Sequence, residues 1–175
     1  MLHELLKYVC EELHKRNIEY MLSRNFAMLL YGTPRMTRDI DMVIRLQEED
    51  IDSFLEIFAE NFYYHKPSIT EEVRRKGMFN IIDHRSGYKV DFVIRKNDEY
   101  RLEEFSRKVF SNKFGFDAYV VTAEDLLISK LIWIQPYQSK QQTEDIENIL
   151  DNKTLDRLYI DKWVKQLHLK TFDLL

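Results

Sequence analysis

The chain has 175 residues, of which 45% are hydrophobic and 13% aromatic, and its formal net charge is −4. This length fits one domain, or one domain with a helical appendage, and the aromatic content can fill a sizeable core. The negative charge argues against a dedicated duplex-DNA binder, and no apolar run reaches the roughly 20 residues that a membrane span needs. The single cysteine, Cys10, and the lack of a signal-peptide pattern predict a cytoplasmic protein that does not contact a membrane.

Apolar periodicity predicts the elements of the first half of the chain. In chain order these are a helix over about 2–16, a short buried strand over 18–22, a two-turn helix over 25–31, a strand over about 39–45 and an amphipathic helix marked by apolar residues from 51 to 62. The two-turn helix is expected to end at Gly32-Thr33-Pro34, because glycine and proline end helices.

The second half begins with two β-rich runs, 78–83 and 88–94, which are predicted to form a hairpin through His84-Arg85-Ser86-Gly87. A charged helix near 98–109 and a strand near 116–121 follow, and the chain is expected to be helical from Thr122 onward. The whole pattern predicts an α+β fold, in which a small mixed β-sheet flanked by helices (1–121) carries a C-terminal helical cluster (122–175) packed on it.

Two carboxylates, Asp39 and Asp41, alternate along one predicted strand. Residues i and i+2 of a strand point to the same face, so the two acids lie side by side while Ile40 and Met42 take the buried face. Two carboxylates this close repel each other unless a cation lies between them, and Mg²⁺ prefers oxygen ligands. The alternative is a structural pair neutralised by Arg35 and Arg38.

A third acid, Asp91, lies within the apolar run 88–94 of the neighbouring hairpin. A carboxylate in such a strand is costly unless it is paired or bound to a cation. The three acids together predict a site for two metal ions that bridge a triphosphate, with a structural acid cluster as the alternative. A metal-dependent nuclease is disfavoured, because Val43 and Val93 stand where such an enzyme would usually place a lysine.

The order of short motifs resembles the nucleotidyltransferase fold superfamily, in particular its small prokaryotic members related to the AbiE-type toxin nucleotidyltransferases. The matching residues are Phe26-Ala27, Tyr31-Gly32, Pro34-Arg35, Thr37, Asp39-Ile40-Asp41 and Asp91, followed by Glu124–Leu127, Lys130-Leu131, Trp133, Ser139, Gln142, Asp145-Ile146, Ile149-Leu150 and Leu155–Leu167. The resemblance therefore covers nearly the whole chain.

The resemblance implies an enzyme that transfers a nucleoside monophosphate from an NTP to a hydroxyl of an unknown acceptor, which could be a protein, an RNA or a small molecule. It assigns the metal, Mg²⁺, and the catalysis to Asp39, Asp41 and Asp91, with Asp91 as a base toward the acceptor hydroxyl. The residues that it places at the nucleotide phosphates are Ser23, Arg24, Asn25, Arg35 and Lys130.

Five of the residues singled out by the resemblance also have structural explanations. Lys130 lies in an apolar helical stripe and either reaches the cleft or extends to solvent. Ser139 and Gln142 fit a helix-capping box, and Asp145 is a candidate partner for Lys130 across two helices. Trp133 is predicted to be a core residue.

One departure from the family pattern concerns the phosphate half of the site. The family has Gly-Gly or Gly-Ser where this chain has Arg24-Asn25. Glycine lets a helix N-terminus approach phosphate closely, whereas an arginine either contacts phosphate or fills the space. The alternative function is therefore a catalytically degenerate module that binds a nucleotide or a partner protein, and the aromatic-rich helices could support a homodimer.

Overall fold

The computed structural model describes residues 1–33 and 37–175, and this part of the chain forms eight helices and seven strands. The helices are α1 (Leu2–Lys15), α2 (Arg24–Tyr31), α3 (Ile51–Leu55), α4 (Lys66–Arg75), α5 (Glu99–Ser106), α6 (Ala123–Ile134), α7 (Lys140–Leu150) and α8 (Arg157–Gln166). The strands are β1 (Tyr20–Leu22), β2 (Asp39–Ile44), β3 (Phe62–Tyr63), β4 (Met78–Asp83), β5 (Lys89–Ile94), β6 (Val109–Ser111) and β7 (Ala118–Val120). The predicted α+β fold is confirmed.

All seven strands belong to one mixed sheet with the order β3-β4-β5-β2-β1-β7-β6. The strands β2 and β5 lie side by side and parallel in its centre, and β4 and β1 flank them in the antiparallel sense. The sheet is larger than the sequence suggests, because two of its strands, β3 and β6, have only two and three residues. The carboxylate strands are therefore central strands rather than edges.

Apolar and acidic side chains alternate along β2 and β5, so they lie on opposite faces of the sheet, as predicted. One face of the sheet fully buries Ile40, Met42, Val90 and Phe92, and Phe92 belongs to an aromatic cluster there. That cluster consists of Phe54, Phe58, Phe79 and Phe92, with ring centroids 5.1 to 5.8 Å apart. Burial of this face fixes which way the acids point, since slipping the register by one residue would move the acids into the apolar core and the apolar set onto the opposite face.

The predicted helix over 51–62 is wrong in its length. The α-helix ends at Leu55, a 3₁₀ turn covers Glu56–Phe58, and the backbone is extended at Ala59. Phe62 instead pairs with Asp83 on β4. Its apolar side chain is compatible with the buried face of a helix and with an edge strand, and pairing with the distant strand β4 makes this segment a strand.

The sequence pattern did not predict α4 or β6. Only Ile69 and Val73 of α4 are buried, so its apolar stripe is too weak to indicate a helix. The predicted hairpin of β4 and β5 is confirmed, and Gly87 in its turn has a φ of 70°, a conformation that favours glycine.

The C-terminal segment is helical, as predicted, and α6 lies between α2, α7 and α8. Its N-cap is Thr122, whose hydroxyl accepts a hydrogen bond from the Asp125 N–H at 3.2 Å, and Ser139 caps α7 in the same way through the Gln142 N–H. The boundary between residues 121 and 122 stays a prediction. Across residues 1–33 and 37–175, no helix is long and apolar enough to cross a membrane.

Candidate functional site

The three predicted carboxylates meet on one face of the sheet, where β2 and β5 run parallel. In the register of these strands Asp41 lies directly opposite Asp91, and Asp39 lies opposite Lys89. Neighbouring strands are about 4.8 Å apart, so Asp41 and Asp91 are close neighbours. Asp41 and Asp91 are buried, whereas the side chain of Asp39 is 46% exposed.

Among the described residues, two cations contact these carboxylates. Nη1 of Arg24 lies 3.2 Å from Oδ1 of Asp41. Nζ of Lys89 lies 3.1 Å from Oδ2 of Asp91 and 3.8 Å from Oδ1 of Asp39. Sequence reasoning gave Lys89 no role, although its place two residues before Asp91 puts it on the same strand face.

The donor set suits a hard divalent cation such as Mg²⁺, which binds carboxylate oxygens. Oδ1 of Asp91 is buried and has no hydrogen-bond partner among the described residues, which leaves one oxygen available to a ligand. Within the described part of the chain, however, no three His, Cys, Asp or Glu side chains are grouped closely enough to hold a metal ion as they stand. Binding a metal between Asp39, Asp41 and Asp91 therefore requires Lys89 and Arg24 to turn away.

The backbone at Arg24 has a glycine-like conformation. Arg24 has a φ of 48°, in the left-handed region that non-glycine residues rarely adopt, and it begins α2. Its guanidinium carbon lies 4.6 Å from the ring centroid of Trp133, so the side chain is held between this ring and Asp41. Arg24 therefore stands in a backbone conformation that glycine would adopt without strain.

The neighbouring residues of the phosphate motif are also placed beside β2. The backbone N–H of Ser23 donates to the carbonyl of Asp41 at 3.0 Å, which fixes the start of α2 against the carboxylate strand. Nδ2 of Asn25 lies 3.3 Å from Oγ1 of Thr37. Arg35, the remaining predicted phosphate contact outside α6, lies outside the described residues.

A cavity of ≈ 470 Å³ opens over the carboxylates. Arg24, Asn25 and the three acids form one side, and the opposite side comes from α6 and from the segment that joins it to α7. The residues that contribute from this second side include Lys130, Trp133, Tyr137, Ser139 and Gln142. The cavity thus brings together six of the residues predicted from the sequence, Arg24, Asn25, Asp39, Asp41, Asp91 and Lys130, whereas Ser23 lines a second, adjoining cavity.

Lys130 is held inside the wall of this cavity and is only 2% exposed. Its Nζ donates to Oδ2 of Asp145 at 2.8 Å and to Oε1 of Gln142 at 3.2 Å. The pairing of Lys130 with Asp145 is the one the sequence suggested. This contact gives the lysine a structural role in joining α6 to α7, and its role at phosphate stays a prediction.

Two aromatic residues of the cavity were missed. Trp133 was predicted to be core but is only partly buried, and Tyr137 is 78% exposed. Trp133 lies three residues after Lys130, so helical spacing places both on one face of α6, and this was the available signal.

The pKa of Asp41 is raised from 3.8 to about 6. Burial is the main cause, the charges of Asp91 and Asp39 add to it, and those of Arg24 and Lys89 oppose it. Between pH 4 and 6 the folded state therefore binds more protons at Asp41 than the unfolded state does, so this group makes the protein less stable as the pH rises through that window.

We therefore expect Asp41→Asn to raise the free energy of unfolding by about 2 to 3 kcal/mol more at pH 7.5 than at pH 4. Urea denaturation of both proteins at the two pH values measures this difference. Asp161→Asn is the matched control, because Asp161 is exposed on α8 and its replacement should have the same small effect at both pH values. An equal effect of Asp41→Asn at pH 4 and 7.5 would contradict the raised pKa.

No protein-family model matches the sequence, and no curated protein matches it at a significant level. Solved structures do match in fold. The antibiotic-resistance factor ANT(2″)-Ia, in a complex with adenylyl-2″-tobramycin, is 10% identical, with a TM-score of 0.59 over 95% of this chain and 97% of that one. The lincosamide antibiotic adenylyltransferase LnuA, bound to lincomycin, is 13% identical, with a TM-score of 0.57 over 84% of this chain and 95% of that one.

A putative nucleotidyltransferase from Thermotoga maritima is also similar, at 17% identity and a TM-score of 0.53 over 86% of this chain and 92% of that one. At these identities the likeness establishes the fold alone, which is that of nucleotidyltransferase-like proteins. The closer relation to the AbiE-type toxins stays a prediction.

Proposed function

We propose that this protein is a Mg²⁺-dependent nucleotidyltransferase that transfers NMP from an NTP to a hydroxyl of an acceptor. The observation that carries the proposal is the register of β2 and β5, which sets Asp41 opposite Asp91, with Asp39 on the same face, at the floor of the ≈ 470 Å³ cavity. A cavity of this size is within the range of small-molecule sites. The nucleotidyltransferase-like fold supports the same reading.

In this proposal Asp39, Asp41 and Asp91 would hold the metal, which would stabilise the charge of the triphosphate and the leaving group. Asp91 also accepts the proton of the acceptor hydroxyl. The acceptor oxygen then bonds to the α-phosphorus, and the bond to the bridging oxygen breaks so that pyrophosphate leaves. Asn25 and the N-terminal N–H groups of α2 lie beside the carboxylates, where they would meet the phosphate oxygens.

A second candidate is a degenerate module of the same fold, which binds a nucleotide or a partner protein without catalysis. The observation that favours it is the pairing of the carboxylates with cations of the chain, since Arg24 contacts Asp41 and Lys89 contacts Asp91. Both cations compete with a metal ion for the same oxygens.

Calorimetric titration with Mg²⁺ and each NTP, followed by a pyrophosphate assay over long incubation, separates the two candidates. Tight binding with pyrophosphate release that depends on an added acceptor supports the enzyme. Tight binding with no release from protein, RNA or small-molecule acceptors supports the binding module. Undetectable binding of every nucleotide rules out both nucleotide-dependent functions and leaves a protein-binding role.

Arg24 is the residue that separates the two candidates most directly. We expect Arg24→Gly to tighten Mg²⁺ binding in the absence of nucleotide by on the order of tenfold, because a positive charge 3.2 Å from Asp41 is removed. Calorimetry with Mg²⁺ alone measures this change. Tighter Mg²⁺ binding would show that the arginine opposes the metal, whereas unchanged or weaker binding would contradict that competition.

Arg24→Ala is the matched control, since it removes the same charge but keeps a side chain at a positive φ. The glycine variant should be the more stable of the two by roughly 1 kcal/mol, because only glycine adopts this conformation without strain. Urea denaturation of the two variants gives this difference.

A further inference from the structure

A second cavity, of ≈ 180 Å³, adjoins the first and shares Arg24 and Trp133 with it. Val43 and Val93 contribute to its lining. Each lies two residues beyond one of the paired acids, so both belong to the same sheet face as Asp41 and Asp91. Two residues of a strand span about 6.6 Å, so a molecule in this cavity lies next to the carboxylates.

The lining combines an apolar surface with a strong excess of positive charge. Its cationic side chains are Arg24, Arg95, Lys96 and Arg101, and its one carboxylate is Glu104. Two of these cations are already neutralised. Arg24 pairs with Asp41, and Nη1 of Arg101 donates to both oxygens of Glu104, at 2.9 and 2.8 Å.

The other two cations retain unused donors. Nε of Arg95 is buried and has no hydrogen-bond partner among the described residues, although Nη2 donates to Oδ1 of Asn97 at 3.1 Å. The Arg95 guanidinium also lies over the ring of Phe105, with 5.6 Å between its carbon and the ring centroid. The contacts of the described chain include no ion pair for Lys96. Both side chains are therefore available to an anion.

We propose that this second cavity is the acceptor subsite, and that it takes an acceptor with an apolar body of single-ring size and an anionic group, a carboxylate or a phosphate. A cavity of about 150 Å³ holds one benzene-sized molecule, which sets the size of the body. Arg95 and Lys96 bind the anionic group. This proposal rests on the proposed nucleotidyltransferase function.

The two cavities differ in a way that assigns them to different ligands. The larger one contains the three carboxylates and the start of α2, which suit a metal-bound triphosphate. The smaller one contains valines and the unneutralised cations, which suit a compact anion and repel a cationic acceptor. An acceptor that rests on Val93 has Asp91 beside it on the same strand, so its hydroxyl can give its proton to that carboxylate as its oxygen bonds to the α-phosphorus.

Four probes that share a phenyl ring test the charge preference without nucleotide or Mg²⁺: benzoate, phenyl phosphate, benzyl alcohol and benzylamine. Fluorescence quenching reports binding, because Trp133 lines the cavity and the other tryptophan, Trp163, is 2% exposed in a separate cluster. We expect the anionic probes to bind at least tenfold more tightly than benzylamine. The comparison of benzoate with phenyl phosphate distinguishes a carboxylate acceptor from a phosphate one. Equal binding of all four probes, or no binding of the anions, would overturn the proposal.

Variants of the lining locate the binding. Arg95→Gln and Lys96→Gln should each weaken the favoured anion by about tenfold, and Val93→Phe should remove its binding by filling the cavity. Lys153→Gln, at an exposed position between α7 and α8, is the matched control and should bind as the native protein does. Thermal melting shows which variants are folded, and the two glutamine variants still test the proposal if Val93→Phe does not fold. Unchanged binding in Arg95→Gln and Lys96→Gln together would overturn it.

A second titration, with Mg²⁺ and NTP, separates this proposal from the proposed function. Val93→Phe should keep the native affinity for Mg·NTP, and Asp39→Asn, whose ion-pair partner Lys89 does not line the small cavity, should keep the native affinity for the anionic probe. If Val93→Phe weakens Mg·NTP as strongly as the probe, the small cavity belongs to the nucleotide and the acceptor assignment is wrong. If the native protein binds the probe but no nucleotide, the nucleotidyltransferase function fails and the acceptor role fails with it. If it binds Mg·NTP but no probe, only the acceptor assignment fails.

Discussion

Replacing Asp39 and Asp41 together by asparagine is expected to lower acceptor-dependent pyrophosphate release by about 10³-fold or more. An amide carries no charge, so the pair would no longer hold Mg²⁺ against the triphosphate, and loss of one electrostatic contact in a transition state already costs roughly 10² to 10³ in rate. The measurement is the rate of pyrophosphate release at saturating NTP and Mg²⁺. Binding of Mg·NTP, measured by calorimetry, should fall in parallel.

The control for this prediction is Asp161→Asn, which makes the same chemical change at an exposed position of α8. Stability provides a second comparison, because the raised pKa of Asp41 means that its replacement removes an unfavourable buried charge near neutral pH. Activity should therefore disappear while the free energy of unfolding stays equal or rises. Native rates in the double variant would show that the carboxylates of β2 are structural.

Replacing Lys130 by methionine is expected to lower the free energy of unfolding by about 3 to 5 kcal/mol. The ammonium is 2% exposed and lies 2.8 Å from a carboxylate oxygen of Asp145. Methionine fills much of the same space but removes the ammonium that lies next to this buried carboxylate. Urea denaturation measures the loss, and Lys140→Met, at a side chain 93% exposed on α7, should change stability by less than about 0.5 kcal/mol.

The double variant Lys130→Met/Asp145→Asn tests whether the pairing itself is the cause. It should be less destabilised than the sum of the two single variants, because the contact between the two side chains can be lost only once. If Lys130→Met were instead as stable as the native protein but bound Mg·NTP at least tenfold more weakly, the lysine would be a phosphate contact and not a tie between α6 and α7.

Much of the fold could be predicted from local pattern. Strand alternation placed Asp39, Asp41 and Asp91 on the faces of their strands that lie opposite the apolar residues, since the two-residue period of a strand is a local property. Thr122 and Ser139 identified two helix starts because capping depends on residues three positions apart. The elements that were missed, α4, β3 and β6, are short or weakly apolar, so their stability comes from neighbours that are distant in sequence.

The sequence by itself therefore determined the class of the fold and the strand face on which the three carboxylates lie. Only the tertiary structure decided what surrounds them. The register of β2 against β5 set Lys89 among the acids, and the approach of α6 placed Trp133 so that Arg24 turns toward Asp41 and separates two cavities. The physical reason is that periodicity fixes the face on which a side chain lies, whereas its neighbours depend on pairing and packing between segments that are about 50 to 110 residues apart.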